Sequence, residues 1–260
     1  LAPLVTLQRL TFNFDEISYT YYKDENVALE AFKSEAYDFR LENSAKIWVN
    51  GYNGKAKNDG LLKQVSFKHS LPSGMQGFFL NTKRSFFDDI KVREALLQAF
   101  DFEWSNKNLF FNQYTRTKSF FDNSIFASSG IPNGLEFEIL KNLKVKNEIL
   151  DSAFHLPTYS DMKGKREALL YAQSLLKEAG FKSINHKLYK DNKQFKFEIL
   201  LVSKAMERVT LPFVRNLEML GIEASVRTVD VSSYINRLNN FDYDVIVAVI
   251  PQSLFPGNEQ

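Results

Sequence analysis

The chain contains no cysteine among its 260 residues. Disulfide bonds, thiolate metal sites and a cysteine nucleophile are therefore excluded. No apolar run approaches the roughly 18 residues that would indicate a membrane span. The charges are nearly balanced, with 33 basic and 31 acidic side chains, and no basic block stands out. We therefore expect no nucleic-acid partner.

Sequence patterns of catalysis and cofactor binding are also missing. No Gly-x-Ser-x-Gly elbow occurs, and no Gly-x-Gly-x-x-Gly follows a predicted strand. Three histidines, far apart in the sequence, stand in no metal-binding motif: His69, His155 and His186. The carboxylate pairs Asp88/Asp89 and Asp242/Asp244 are sequence neighbours, whereas a glycosidase needs two carboxyls that face each other. We predict no catalytic residue, no metal site and no cofactor.

Apolar residues make up 44% of the chain, which is enough for a substantial core. The last third alternates regularly between the two-residue period of strands and the 3.6-residue period of helices. Strands are predicted at 195–202, 223–229 and 243–250, and helices at 166–179, 209–220 and 232–239. This order predicts right-handed crossovers and an α/β sheet. The nearly continuous apolar run 243–250 is typical of a strand buried on both faces.

Patterns in the first two thirds are looser. Residues 7–22 favour strands, and 26–33 favour a helix that Asp24 or Asn26 caps. The joint Ser34-Glu35 lacks the glycine that usually ends such a helix, and the chain returns to extended structure at 36–40. A polar loop is predicted at 50–60.

Further strands are predicted at 64–67 and 77–81. Asp88 is predicted to cap the next helix, since apolar residues then recur at helical spacing. Its inward residues would be Val92, Ala95, Leu96, Ala99 and Phe100. Residues 135–149 fit either a helix or a loop.

Three segments are candidates for ligand binding. In 78–81, two adjacent Phe rings cannot both enter the core if the sheet is covered on one face. Residues 251–260 leave the carboxyl end of the predicted buried strand, where ligands of open α/β sheets bind; a plain connector is the alternative. The weaker third segment is 42–48. The predicted ligand-binding residues are Asn43, Trp48, Phe78, Asn81, Gln252, Ser253, Asn258 and Glu259.

Taken together and in this order, several segments resemble the family-5 extracellular solute-binding proteins, the peptide- and nickel-binding receptors of ABC importers. They are the Tyr-Asp-containing stretch 21–39, in which Glu35 replaces the family's glycine, and the strand and helix at 77–101. The helix 166–180, which ends Leu-Leu-Lys-Glu-Ala-Gly, and the elements at 217–222 and 230–244 complete the set. Residues 99–124 are most similar to the oligopeptide and microcin-C-type receptors.

The resemblance implies a periplasmic-binding-protein type II lobe with a mixed sheet flanked by helices. Residues 1–260 would form one ligand-binding lobe, the second of a two-lobe receptor, with both ends near the hinge of a longer chain. It would capture oligopeptide-like solutes by hinge closure, deliver them to a membrane ABC permease, act as a monomer and reside in the periplasm or on a lipid anchor. The alternatives are a hydrolase acting on peptides or glycans, and a plain interaction domain.

One departure from the family concerns the peptide's amino terminus. Dipeptide and oligopeptide receptors place an aspartate beyond the last strand to pair with that amine. This chain has Gln252-Ser253 at roughly the corresponding place, and no acid until Glu259. The resemblance therefore does not extend to this kind of amine recognition.

Overall fold

The computed structural model describes residues 13–84, 86–159 and 161–258. The chain divides into two compact units, Leu1–Ser66 and Phe67–Gln260. The first unit contains three helices among its described residues: α1 (Glu25–Lys33), α2 (Ala45–Asn50) and α3 (Lys55–Asn58). Helix α3 lies inside the segment 50–60 that was predicted to be a loop. The predicted strands at 13–22 and 64–67 are wrong, because these described residues form neither strand nor helix. Residues 7–12 lie outside the described residues.

Both ends of α1 follow from local side-chain and backbone chemistry. The Asp24 carboxylate accepts the backbone N–H groups of Asn26 and Val27 at 2.9 and 3.0 Å, so the predicted cap is confirmed. At the other end, Glu35 has φ +63°, in the left-handed region. The N–H of Ala36 then donates to the carbonyl of Ala31 at 3.0 Å, which closes the helix as glycine usually does.

The second unit is built on a four-stranded mixed sheet. Its strands are β1 (Met75–Leu80), β5 (Lys196–Leu201), β6 (Glu223–Thr228) and β7 (Val245–Ile250), in the order β1-β7-β5-β6. Strand β5 is parallel to β6 and β7, and β1 is antiparallel to β7. The predicted strands and the α/β sheet are confirmed, and β7 is an internal strand.

Helices cover both faces of this sheet. The long helices are α4 (Ile90–Ala99), α8 (Met162–Glu178) and α9 (Lys204–Met219), and their apolar sides form one core cluster with β5 and β7. Helix α10 (Val231–Asn239) covers the other face through Tyr234, which packs with Leu200 and Ile246. Phe78 therefore packs on the first cluster and Phe79 on the second. Because the sheet is covered on both faces, the two adjacent rings pack on opposite sides of it.

Three helix starts differ from the predicted ones. Helix α8 begins at Met162, four residues before the predicted start at 166, and Asp161 caps it. Asp89, and not Asp88, caps α4, because its carboxylate accepts the N–H of Lys91 at 2.9 Å. Helix α9 begins after Ser203, whose hydroxyl accepts the N–H of Ala205 at 3.2 Å. Pro212 consequently lies inside the helix and not in its first turn. The helix keeps this proline because its apolar side is held in the core by Phe213 and its neighbours.

The remaining elements were not predicted or were left open. Helices α5 (Phe102–Asn108), α6 (Gly134–Asn142) and α7 (Asn147–Asp151) lie between α4 and α8 along the chain. Strands β2 (Lys182–Ile184), β3 (Lys187–Lys190) and β4 (Lys193–Gln194) form a separate antiparallel sheet. Its turns Asn185-His186 and Asp191-Asn192 have positive φ at both residues, as tight hairpin turns require. The turn at Asp191-Asn192 could have been predicted from the sequence, because both residue types are common in turns.

Candidate ligand-binding face

The carboxyl ends of β5, β6 and β7 meet at one edge of the sheet because the three strands are parallel. The first polar residues beyond them are Ser203, Asp230 and Gln252. Ser203 and Asp230 already cap α9 and α10; Asp230 accepts the N–H of Ser233 at 3.0 Å. The amino termini of both helices thus lie at this edge, which is where ligands of open α/β sheets bind.

Gln252 differs from these capping residues because its side-chain amide has no partner. Both Nε2 and Oε1 are shielded from solvent, and neither hydrogen bonds to any described residue. An unsatisfied buried donor or acceptor costs about 1–3 kcal/mol. An external group that offers one acceptor and one donor would remove this cost, and a peptide group offers both.

The other predicted residues of this loop are placed differently. The hydroxyl of Ser253 donates to the carbonyl of Phe255, whose ring lies 5.8 Å from that of Phe126. Asn258 is exposed at the end of the described segment. Glu259 lies outside the described residues. Within this loop, Gln252 is therefore the residue whose hydrogen-bonding groups are shielded and unused.

The structure does not bring Phe78 and Asn81 to this edge. Leu80 pairs with Val245 at the start of β7, so Asn81 lies at the opposite edge. Asn81 is 5% exposed, and its amide bonds to backbone groups on both sides. The Phe78 ring packs 5.0 Å from the ring of Phe213. A ligand-binding role for these two residues stays a prediction.

Asn43 and Trp48 belong to the first unit, where a buried charge network fixes the start of α2. The Glu42 carboxylate accepts from the Tyr52 hydroxyl at 2.6 Å, from the Arg40 guanidinium at 3.1 Å and from the N–H of Ser44 at 2.8 Å. Asn43, exposed, stands between two of these residues, and half-buried Trp48 follows in α2. The ligand-binding role of Asn43 and Trp48 stays a prediction.

Burial and hydrogen bonding shift the pKa values of two residues of this network, Arg40 and Tyr52. Burial, together with the adjacent Glu42 carboxylate, raises the pKa of Tyr52 to about 12. Burial by itself lowers the pKa of Arg40, but its hydrogen bonds to Tyr37, Glu42 and Tyr52 outweigh that effect and raise it. Arg40 therefore stays charged and Tyr52 stays neutral at neutral pH. This network was not predicted, although Arg40 and Glu42 are two residues apart in an extended segment and thus share a side.

The carboxylates considered for catalysis serve other purposes. Asp242 pairs with Arg84 at 3.1 Å and with Arg237 at 3.3 Å, and Asp244 accepts the N–H of Glu198 at 2.9 Å. Among the described residues, no group of three or more His, Asp or Glu side chains is arranged to hold a metal ion. In the same part of the chain, no helix has the length and apolar character of a membrane span.

Comparison with known proteins decides the family. Residues 9–259 match the family described as bacterial extracellular solute-binding proteins, family 5 middle. The chain belongs to this family. It is 41% identical over 254 residues to the probable peptide-binding protein YejA of Agrobacterium fabrum, a match that covers 95% of this chain and 41% of YejA. The peptidoglycan-binding protein YepA of the same organism is 36% identical over 259 residues, covering 95% and 42%.

Solved structures show the same fold. The oligopeptide-binding protein AppA of Bacillus subtilis, in complex with a nonapeptide, superimposes with a TM-score of 0.66 at 22% identity, covering 92% of this chain and 41% of AppA. NikZ of Campylobacter jejuni, in complex with Ni(L-His), gives 0.57 at 22% identity, covering 91% and 40%. The predicted type II lobe, a mixed sheet flanked by helices, is confirmed. The chain spans about two fifths of the length of these relatives.

Proposed function

We propose that this chain is one ligand-binding lobe of a two-lobe receptor that captures oligopeptide-like solutes for an ABC importer. The observation that carries the proposal is the shielded, unpartnered amide of Gln252 at the carboxyl edge of the sheet, in a chain 41% identical to a probable peptide-binding protein. Family membership and the fold support it, and nothing in the comparisons supports the hydrolase alternative.

In the proposed mechanism, the receptor binds its ligand and catalyses no reaction. Hinge closure buries the ligand between two lobes, and backbone hydrogen bonds with apolar pockets supply the affinity. The receptor works as a monomer that passes its ligand to a membrane permease, in the periplasm or on a lipid anchor. It needs no cofactor and turns over no substrate. Binding at Gln252, Ser253, Asn258 and Glu259, and in the first unit at Asn43 and Trp48, belongs to this proposal.

Gln252 would bind a peptide group of the ligand through both polar atoms. A neutral amide can donate to a carbonyl and accept from an N–H at once, whereas a carboxylate can only accept. The family's aspartate therefore suits a charged amine, and Gln252 suits an internal peptide bond. The side chain loses its desolvation penalty only when the ligand is present, so the interaction favours the bound state.

The test is calorimetric titration of oligopeptides and of peptidoglycan-derived peptides into the complete receptor. We expect Gln252→Leu to weaken peptide binding by about tenfold, since about 1.4 kcal/mol corresponds to that factor, and to leave the melting temperature unchanged or higher. The control is Gln173→Leu on the exposed side of α8, which should change neither. Unchanged affinity in Gln252→Leu, or no peptide binding by the receptor, would remove the proposal.

An ester analogue makes the test independent of side-chain size. Replacing one backbone N–H of the peptide by oxygen removes a donor and keeps the shape. If Gln252 hydrogen bonds to that peptide bond, the wild-type receptor should bind the amide more tightly than the ester. The Gln252→Leu variant should bind the two with equal affinity. An equal preference in both proteins would show that Gln252 does not touch the ligand.

A further inference from the structure

A second concave site lies at the other edge of the four-stranded sheet, where β5 and β7 begin. It encloses about 490 Å³, within the range of about 300–1,000 Å³ that is common for small-molecule sites. The lining is aromatic at the base and cationic at the rim. Nothing in the proposed peptide-capturing role uses this site.

The base is made of closely packed rings. Phe195 is 1% exposed and Phe87 is 2% exposed, and Phe195 stacks on Phe181 with ring centroids 5.0 Å apart. Phe86 forms a wall, edge-on to Phe195 at 5.3 Å. The backbone of Phe86 has φ +81°, a left-handed conformation that costs energy for a bulky residue and that is concentrated at functional sites. The buried rings of Phe87, Phe181 and Phe195 support the partly exposed ring of Phe86, which faces the site.

The rim carries an excess of positive charge. Arg84, Lys193 and Lys196 line the site, and its one acidic lining residue in the described chain is Asp244. Asp244 is already engaged, with one oxygen on the N–H of Glu198 at 2.9 Å and the other 3.8 Å from Arg84.

The two lysines, in contrast, have no carboxylate within ion-pair distance in the described part of the chain. The neighbouring Glu223 is paired with Lys187 at 3.0 Å. Lys196 acts on Glu223 through its charge without forming an ion pair. Both ammonium groups therefore remain available to an anion beside the partly exposed ring of Phe86, and the combination favours a ligand with both an apolar and an anionic part.

We propose that this site binds an amphipathic anion, a small molecule with an aromatic or apolar body and a carboxylate, sulfonate or phosphate group. The body packs on the partly exposed rings of Phe86 and Tyr189, and the anion pairs with Lys193 and Lys196. The site is separate from the one at Gln252, because β7 runs the length of the sheet between them, roughly 20 Å for a strand of this size.

The experiment titrates 2-naphthoate and its neutral analogue 2-naphthalenemethanol into the complete receptor at low salt, followed by calorimetry. We expect the carboxylate to bind more tightly than the alcohol. The double variant Lys193→Gln/Lys196→Gln should weaken 2-naphthoate binding by about tenfold, as loss of two partly exposed ion pairs predicts. Both lysines are exposed, so the substitutions leave the core intact.

Two controls separate this site from others. Lys107→Gln/Lys177→Gln removes the same charge from exposed helix positions and should not change binding. Gln252→Leu should also leave 2-naphthoate binding unchanged, whatever it does to peptides. The proposal is overturned if 2-naphthoate does not bind at millimolar concentration, if the alcohol binds equally well, or if the Lys193/Lys196 variant binds like the wild type.

Discussion

The side-chain amide of Asn81 donates to the backbone carbonyl of Tyr243 at 2.9 Å. It also donates to the carbonyl of Phe241 at 3.1 Å, and its own carbonyl accepts the N–H of Lys83 at 3.1 Å. The Asn81 side chain thus links the residues that follow β1 to those that precede β7, at the amino-terminal ends of the parallel strands. This relationship gives Asn81 a role in the fold that is independent of any ligand.

Asn81→Ala should therefore destabilise the protein. The change leaves two carbonyls and one N–H without their partner in a site that is 5% exposed, and we expect a loss of about 2 kcal/mol in the free energy of unfolding. Denaturant titration of both proteins measures it. Asn142→Ala, on an exposed position of α6, should cost much less. Equal losses in the two variants would contradict the bridging role.

Gly221 and Gly180 offer a matched pair of glycines with positive φ. Both follow a helix, with φ +84° and +91°. A Cβ at Gly221 would lie 2.9 Å from the carbonyl oxygen of His186, whereas the nearest atom at Gly180 is the flexible end of Lys190 at 3.6 Å. We expect Gly180→Ala to cost about 1 kcal/mol, from backbone strain alone, and Gly221→Ala to cost clearly more.

Thermal and denaturant unfolding measure the loss of stability in each of the two glycine variants. Hydrogen exchange adds a local measure, because the N–H of Leu188 donates to the carbonyl of Gly221 at 2.9 Å. Faster exchange at Leu188 in Gly221→Ala only is the expected pattern. If both variants lose the same stability, the close approach to His186 has no energetic effect.

Glu35→Gly should stabilise the first unit. Glu35 holds φ +63° at the end of α1, a conformation that costs a residue with a Cβ roughly 1 kcal/mol more than glycine. The gain in the free energy of unfolding should be somewhat smaller, since glycine also raises the entropy of the unfolded chain. Glu35→Ala keeps the Cβ and is the control; an equal gain there would assign the effect to the lost charge.

Tyr159 should make stability fall at alkaline pH. Its hydroxyl donates to the carbonyl of Gln98, and burial raises its pKa to about 12, above the unfolded value of about 10. The neutral phenol therefore contributes stability that is fully present below pH 10 and is lost as the pH rises through 12. Tyr159→Phe should show a shallower decline of unfolding free energy between pH 10 and 12.

The control for the alkaline experiment is Tyr171→Phe. The pKa of Tyr171 is raised by its hydrogen bond to Glu94, but this tyrosine is largely exposed. Its removal should change the pH dependence little. An identical alkaline profile for Tyr159→Phe and the wild type would show that Tyr159 does not ionise on unfolding in this range.

Local sequence determined most of the regular structure in the second unit. Strands β5, β6 and β7 and helices α8 to α10 follow from apolar spacing and from caps such as Asp230, which act within a few residues of chain. The order of these elements also favours the parallel pairing of β5 with β6 and β7, because right-handed crossovers leave few alternatives. Segments without such periodicity, 13–22 and 64–67, were wrongly predicted as strands, since composition favours a strand but pairing makes one.

Only the tertiary structure decided which polar side chains form hydrogen bonds within the protein and which remain available for other partners. The sequence placed Gln252 after the last strand, but its neighbours leave both atoms of its amide shielded and unpartnered. In the same fold, the amide of Asn81 is hydrogen bonded, and Phe78 and Phe79 pack on opposite faces of one sheet. Burial and hydrogen-bond satisfaction depend on residues more than a hundred positions away, and spacing along the chain carries no information about those contacts.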